Sequence, residues 1–252
     1  MTSTYSEIKL GVEDDVATIS FARPEAMNAI TPRMLAELKH ALDDVGGNGK
    51  VRFVVVTGAG KAFSAGVDLK ALGDRELVNG KVGDILDLPA REVIAAIEQL
   101  PKPVIAKING FCFTGALEIA LACDFIIVAQ EAKLGDTHAK WGLRPTWGMS
   151  QRLPRRVGML KARELSLTAR TLKGSECVAL GLANSAAPRE ELDAAVNALI
   201  EEMRPNSSEA FVAYKDLYRA AENMSLDDGL RYEAATDYAF SDSNERLAAF
   251  RK

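Results

Sequence analysis

The sequence predicts an α/β fold that gives way to helices toward its C-terminus. Three observations predict it. An apolar strand, a glycine-bearing loop and a helix follow one another twice, at residues 51–70 and 103–123. Residues 6–22 alternate apolar and polar positions on both sides of an acidic turn. From Gly158 onward the pattern is mainly helical, with apolar residues three or four positions apart.

Taken in order, SEIKLGVEDDVATISFA reads as an antiparallel hairpin, because strand side chains alternate faces and the acidic residues mark the turn. TPRMLAELKHALDDV reads as a helix. Thr31 supplies its N-cap and Pro32 its first residue, while Met34, Leu35, Leu38, Ala41 and Leu42 form one apolar side. VRFVVVTG is a strand, and the turn-rich AGKAFSAGVDLK leads from it into a helix. AREVIAAIEQLP is helical, PVIAKING a strand, FCFTG a second loop, ALEIALAC a helix and DFIIVA a further β-rich segment. Using the same order twice places two helix N-termini at one pocket.

Beyond GMLKARELSLTAR, Leu192, Ala195, Val196, Leu199 and Ile200 make one helical stripe. SSEAFVAYKDLYRAAENM and LDDGLRYEAATDYAF are amphipathic and carry aromatic residues, which suits packing or an oligomer interface. The expected division is an α/β core over residues 1–200 and a C-terminal helical region over 201–252 for packing and oligomerisation.

Composition excludes several function classes. With 31 Lys and Arg against 35 Asp and Glu, the formal charge is −4, so no basic field is available for a nucleic-acid backbone. Cys112, Cys123 and Cys177 have no metal-ligand spacing and read as reduced thiols, two of them in apolar surroundings that suit buried packing. No metal site is expected. The N-terminal stretch lacks the basic flank and apolar block of a secretory signal, and no apolar run approaches a membrane span. A cytoplasmic protein is the expectation.

One residue stands out chemically. Within INGFCFTGALEIALACDF, Glu118 carries the only charge between Asn109 and Asp124. A carboxylate is seldom buried without a partner, since burial raises its pKa until it takes up a proton. Its neighbours Ala116, Leu117, Ile119 and Ala120 argue against a solvent-facing position. Glu118 lies three residues, about one helical turn, after Gly115, so its carboxylate can return toward that loop.

Three segments in order, ARPEAMNAIT, GKAFSAGVDLK and PVIAKINGFCFTGALEIALACDF, carry a resemblance to the crotonase family, also called the enoyl-CoA hydratase/isomerase superfamily. The resemblance covers nearly the whole chain. It implies a spiral of repeated ββα units with a C-terminal helical region. It further implies a homotrimer or dimer of trimers, an acyl-CoA substrate, and no tightly bound cofactor beyond the coenzyme A of that substrate.

The resemblance also assigns residues. Reaction beside a thioester carbonyl puts negative charge on its oxygen, which two fixed backbone N–H groups stabilise; by similarity these belong to Val67, after Gly66, and to Gly115. Asp68 caps or orients the first helix. Arg23, Ala26, Ala62 and Ala65 flank the pantetheine path, and Gly66, Asp68, Leu69 and Trp141 complete the expected substrate and coenzyme A contacts. Glu118 handles water or a substrate proton.

One block departs from the pattern. In AKLGDTHAKWGLRPTWGMSQRLPRRVG, His138 stands where a typical hydratase has its second glutamate. Histidine titrates near neutrality and can both accept and donate, so it is the second candidate acid/base group. His138 can also be a loop residue bonded to Asp136, and Trp141 and Trp147 either wall an acyl pocket or pack in the loop. The leading expectation is an enoyl-CoA hydratase-like enzyme. Isomerase, CoA decarboxylase and hydrolase chemistry, or a catalytically silent acyl-CoA-binding protein, are the alternatives.

Overall fold

The computed structural model describes residues 5–73 and 77–250. The hairpin forms from β1 (Ile8–Glu13) and β2 (Val16–Phe21), paired antiparallel from Ile8–Phe21 to Glu13–Val16. α1 (Pro32–Gly47) follows. The Thr31 hydroxyl accepts from the Met34 amide at 3.0 Å, satisfying a first-turn donor that the helix itself cannot. Met34, Leu35, Leu38, Ala41 and Leu42 are buried.

The chain then winds through repeated units. The first comprises β3 (Phe53–Gly58), β4 (Ala62–Ser64) and α2 (Asp84–Gln99). The second comprises β5 (Val104–Ile108), β6 (Phe111–Phe113) and α3 (Gly115–Ala122). The third comprises β7 (Phe125–Ala129) and β8 (Lys133–Gly135), followed by α4 (Met149–Val157) and α5 (Met159–Thr168). After these come β9 (Leu172–Lys173), α6 (Gly174–Ala179), β10 (Ser185–Ala187), α7 (Leu192–Met203), α8 (Ser208–Asn223), α9 (Leu226–Ala235) and α10 (Ser243–Phe250).

Each unit lays one strand in each of two sheets. The six-stranded sheet has the order β1-β2-β3-β5-β7-β10 and is parallel from β2 onward; the four-stranded sheet has the order β4-β6-β8-β9. This is the spiral of ββα units that the resemblance implied. β3 is buried at every residue, as the apolar run FVVV suits a strand covered on both faces, and the buried Thr57 hydroxyl donates to Lys107 O at 2.9 Å. All eight residues of α3 are buried, so this helix is apolar around its whole circumference except at Glu118.

Three expectations need correction. The first glycine loop leads not into an α-helix but into a single 3-10 turn, Leu69–Leu72, and the long helix of that unit begins only at Asp84. Val67 is held in an isolated parallel bridge with Ile30, which no helix can share. The first loop therefore brings no α-helix N-terminus to the pocket. The region read as helical beyond Gly158 also contains β9 and β10, the latter extending the large sheet through its pairing with β7. Lastly, α9 ends at Ala235, before the TDYAF stretch.

The chain divides into two units, Met1–Leu199 and Ile200–Lys252. Within the second, Asp216 on α8 accepts from the Tyr232 and Tyr238 hydroxyls, each at 2.7 Å. Among the described residues no helix is long and apolar enough to cross a membrane.

Candidate active site

Glu118 projects from the first turn of α3 and is 1 % exposed. Its two oxygens have different surroundings. Oε1 accepts from the backbone amides of Trp147 at 3.0 Å and Met149 at 2.8 Å, which anchors it to the chain entering α4. Oε2 lies 3.7 Å from His138 Nε2. Burial pushes the Glu118 pKa above its ordinary 4.5, although the Met149 amide, the His138 charge and the Trp147 amide oppose that rise.

His138 is 9 % exposed and sits just before a 3-10 turn at Ala139–Trp141. Its Nδ1 is 2.6 Å from Asp136 Oδ1, and the same oxygen accepts from the His138 amide at 3.2 Å, an Asx-type turn. The other Asp136 oxygen accepts from the Ser166 hydroxyl at 2.6 Å. With Nδ1 committed to a carboxylate, Nε2 is the nitrogen left for Glu118 and the cavity. Burial depresses the His138 pKa, but the Asp136 hydrogen bond and the charges of Glu118 and Asp136 outweigh it and hold the value above 6.5. Burial acts on Asp136 too, yet its bonds from His138 and Ser166 keep its pKa below the usual carboxylate value.

The two loops supply the backbone donors. The Ile30 amide donates to Gly66 O and the Asp68 amide donates to Ile30 O, so alternation along the strand turns the Val67 N–H away from Ile30. The Gly115 N–H is at the first position of α3, where no intrahelical acceptor exists. Neither amide has a backbone acceptor among the described residues. Gly66, at φ 95°, has no room for a Cβ, which would strike the Thr114 hydroxyl, so the two loops touch here. Thr114 itself holds φ 47° and ψ −115°, a conformation that a β-branched residue adopts only under constraint, directly before Gly115.

A cavity of about 140 Å³ collects these groups. Of the residues expected at the site, Ala65, Val67, Leu69, Gly115, Glu118, His138 and Trp141 line it. Gly66 lies between two lining residues but is not one itself. Arg23, Ala26, Ala62 and Asp68 also lie outside the lining. Arg23 donates to Ala29 O and to Asp68 Oδ2 at 3.0 Å, and Asp68 Oδ1 accepts from the Lys70 amide at 3.1 Å, capping the 3-10 turn. Ala62 is fully buried in β4. Trp141, 59 % exposed, stands at the rim, whereas Trp147 is 2 % exposed and forms the inner wall.

Other lining residues carry no mark in the sequence: Val82, Thr137, Leu143, Arg144 and Thr146. They come from connecting segments without periodicity. A larger open groove of about 440 Å³ runs between α1 and α2, but it contains none of these groups.

The arrangement places a buried carboxylate and an imidazole on one side of a small cavity and two unengaged amides on its border. Such a set can stabilise an oxyanion and move protons beside it.

Comparison with known proteins places the chain in a family. The family model described as enoyl-CoA hydratase/isomerase matches residues 11–250. A relative in Arabidopsis thaliana, named probable enoyl-CoA hydratase 1, peroxisomal, is 33 % identical over 95 % of this chain and 89 % of its own length. The enoyl-CoA hydratase from Bacillus anthracis superposes with a TM-score of 0.89 at 32 % identity, covering 98 % of this chain and 96 % of that one. A chain from Thermobifida fusca YX, solved in complex with acetoacetyl-CoA, superposes with a TM-score of 0.79 at 30 % identity, covering 96 % and 95 %.

Proposed function

This chain belongs to the enoyl-CoA hydratase/isomerase family, and on that premise we propose that its cavity adds water to the double bond of a short 2-enoyl-CoA. The thioester oxygen lies between the Val67 and Gly115 amides. The water sits between Glu118 Oε2 and His138 Nε2, whose 3.7 Å separation suits a molecule bonded to both. As the oxygen of water bonds to Cβ, Glu118 takes its proton, and the electron pair of the double bond moves to the thioester oxygen. The enolate then collapses and Cα receives a proton from the Glu118–His138 pair.

Asp136 orients the imidazole and stabilises its protonated form. The coenzyme A of the substrate leaves along the rim marked by Leu69 and Trp141, and no resident cofactor has a part in the scheme. The observation that carries the reading is Glu118 itself: a carboxylate 1 % exposed, with one oxygen anchored and the other facing His138. We further propose that the protein works as a homotrimer or dimer of trimers, with α8 and α9 contributing to the contacts. Tyr214, Tyr218, Leu226 and Leu230 are exposed on those helices and suit such a surface.

The test is hydration of crotonyl-CoA, followed as loss of the enoyl absorbance, with wild type and Glu118→Gln. The expected outcome is turnover by wild type and a loss of about 10²–10⁴-fold in the variant, with acyl-CoA affinity retained. Equal rates for the two proteins would remove Glu118 from the chemistry. Release of free CoA in place of a 3-hydroxyacyl-CoA would redirect the reading to thioester hydrolysis.

A further inference from the structure

Trp147 is where the separate parts of the site meet. Its amide donates to Glu118 Oε1 at 3.0 Å, its carbonyl accepts from Arg152 Nη1 at 3.0 Å, and its ring occupies the space a Cβ on Gly115 would need. Its indole Nε1 donates to Asp87 Oδ1 at 2.8 Å. The same Asp87 oxygen accepts from the Thr146 hydroxyl at 2.7 Å. Asp87 lies on α2, sixty residues earlier in the chain, and is 1 % exposed.

Asp87 stands in the first turn of α2, where a carboxylate is favoured, yet it is not fully satisfied there. Its Oδ2 is buried without a hydrogen-bond partner among the described residues, and a desolvated, unsatisfied oxygen disfavours the folded state. Arg91 donates its Nε–H to the main-chain oxygen of Asp87. The satisfied carboxylate oxygen receives both of its bonds from consecutive residues of the loop that holds Glu118. A buried carboxylate with one oxygen unsatisfied and the other given wholly to the site loop is accounted for by what it does to that loop.

We propose that Asp87 is a positioning residue for proton transfer: by seating the Trp147 indole it fixes both the amide that anchors Glu118 and the ring behind Gly115. The inference rests on the acid/base role given above to Glu118. It explains why two elements distant in sequence converge on one tryptophan. The charged groups that bear on Glu118 are His138 and Asp136 on one side, with Arg152, itself paired with Glu98 at 2.6 Å, reaching the Trp147 carbonyl.

The experiment compares Asp87→Leu, Asp87→Asn and Trp147→Phe with wild type. It measures kcat and KM for crotonyl-CoA and the titration of the Glu118 carboxyl by ¹³C NMR. Asp87→Leu removes the acceptor for the indole. Its kcat is expected to fall about 10- to 100-fold, as for a slightly misplaced group, with KM within about threefold. The Glu118 pKa should rise further, because a looser Trp147 amide stabilises the carboxylate less. Asp87→Asn keeps a carbonyl acceptor and should recover most of the turnover. Should Asp87→Leu fail to fold, Trp147→Phe removes the same N–H while keeping a ring and should show the same pattern. Unchanged kcat and an unmoved Glu118 titration in Asp87→Leu or Trp147→Phe would overturn the proposal. The titration needs no turnover: if wild type hydrates nothing, the role of Glu118 falls, while a shifted Glu118 still supports the Asp87 link.

Discussion

At Glu118 one oxygen is anchored and the other faces His138, and the proposed acid/base role predicts a pH profile. Glu118 must be ionised to take a proton from water, and its pKa is raised, first by burial. Activity should therefore appear only as pH climbs past a value above 4.5. His138 must be protonated to give a proton back, and its pKa is raised above 6.5 because its carboxylate neighbours outweigh burial. Activity should fall as pH passes that higher value. The profile of kcat/KM is expected to be a bell whose limbs belong to the coupled pair. In His138→Gln the alkaline limb should vanish and the rate should drop; a variant that keeps the wild-type bell would exclude His138 from proton transfer. Glu118 was legible in the sequence because a lone charge in an apolar run is anomalous. His138 was legible through the family resemblance, which puts it where a typical hydratase has its second glutamate, and Asp136 as the hydrogen-bond partner of His138 in its loop. Asp87 was not legible, because one aspartate among the acidic residues of an amphipathic helix carries no signal until Trp147 meets it.

Among the elements, α3 and the two loops after β4 and β6 build the proposed oxyanion border. α3 can be buried because each side chain other than Glu118 is apolar, and its first amides are unengaged because a helix begins at Gly115. Gly115→Ala is expected to drive a methyl into the Trp147 ring. Overpacking of this kind costs about 1–3 kcal/mol, and the displaced ring should also lower kcat. Thermal unfolding and crotonyl-CoA hydration measure the two effects. A variant with wild-type stability and turnover would show that the ring has room to yield. The hairpin, α1 with its Thr31 cap and the strands β3 and β5 could be read from local pattern, since alternation, capping and apolar runs are local causes. The 3-10 turn after the first loop could not, because the bridge that holds Val67 just before it pairs that residue with Ile30, far away in sequence. β9 and β10 are two and three residues long, too short to display a period.

For the whole molecule, the proposed trimer or dimer of trimers predicts a light-scattering mass of three or six copies of the 27.2 kDa chain. A monomer at high concentration would contradict it. The cavity of about 140 Å³ suits a short acyl group, so hydration should favour crotonyl-CoA over long-chain enoyl-CoA. The central claim is that one cavity holds the thioester oxygen against the Val67 and Gly115 amides with Glu118 beside the acyl chain. A crystal structure of the protein with acetoacetyl-CoA tests it most directly. The account predicts the thioester oxygen at roughly 2.7–3.1 Å from both amide nitrogens, with Glu118 Oε2 and His138 Nε2 facing the acyl Cβ. A thioester bound away from either amide, or an acyl chain on the far side of Trp147 from Glu118, would contradict it.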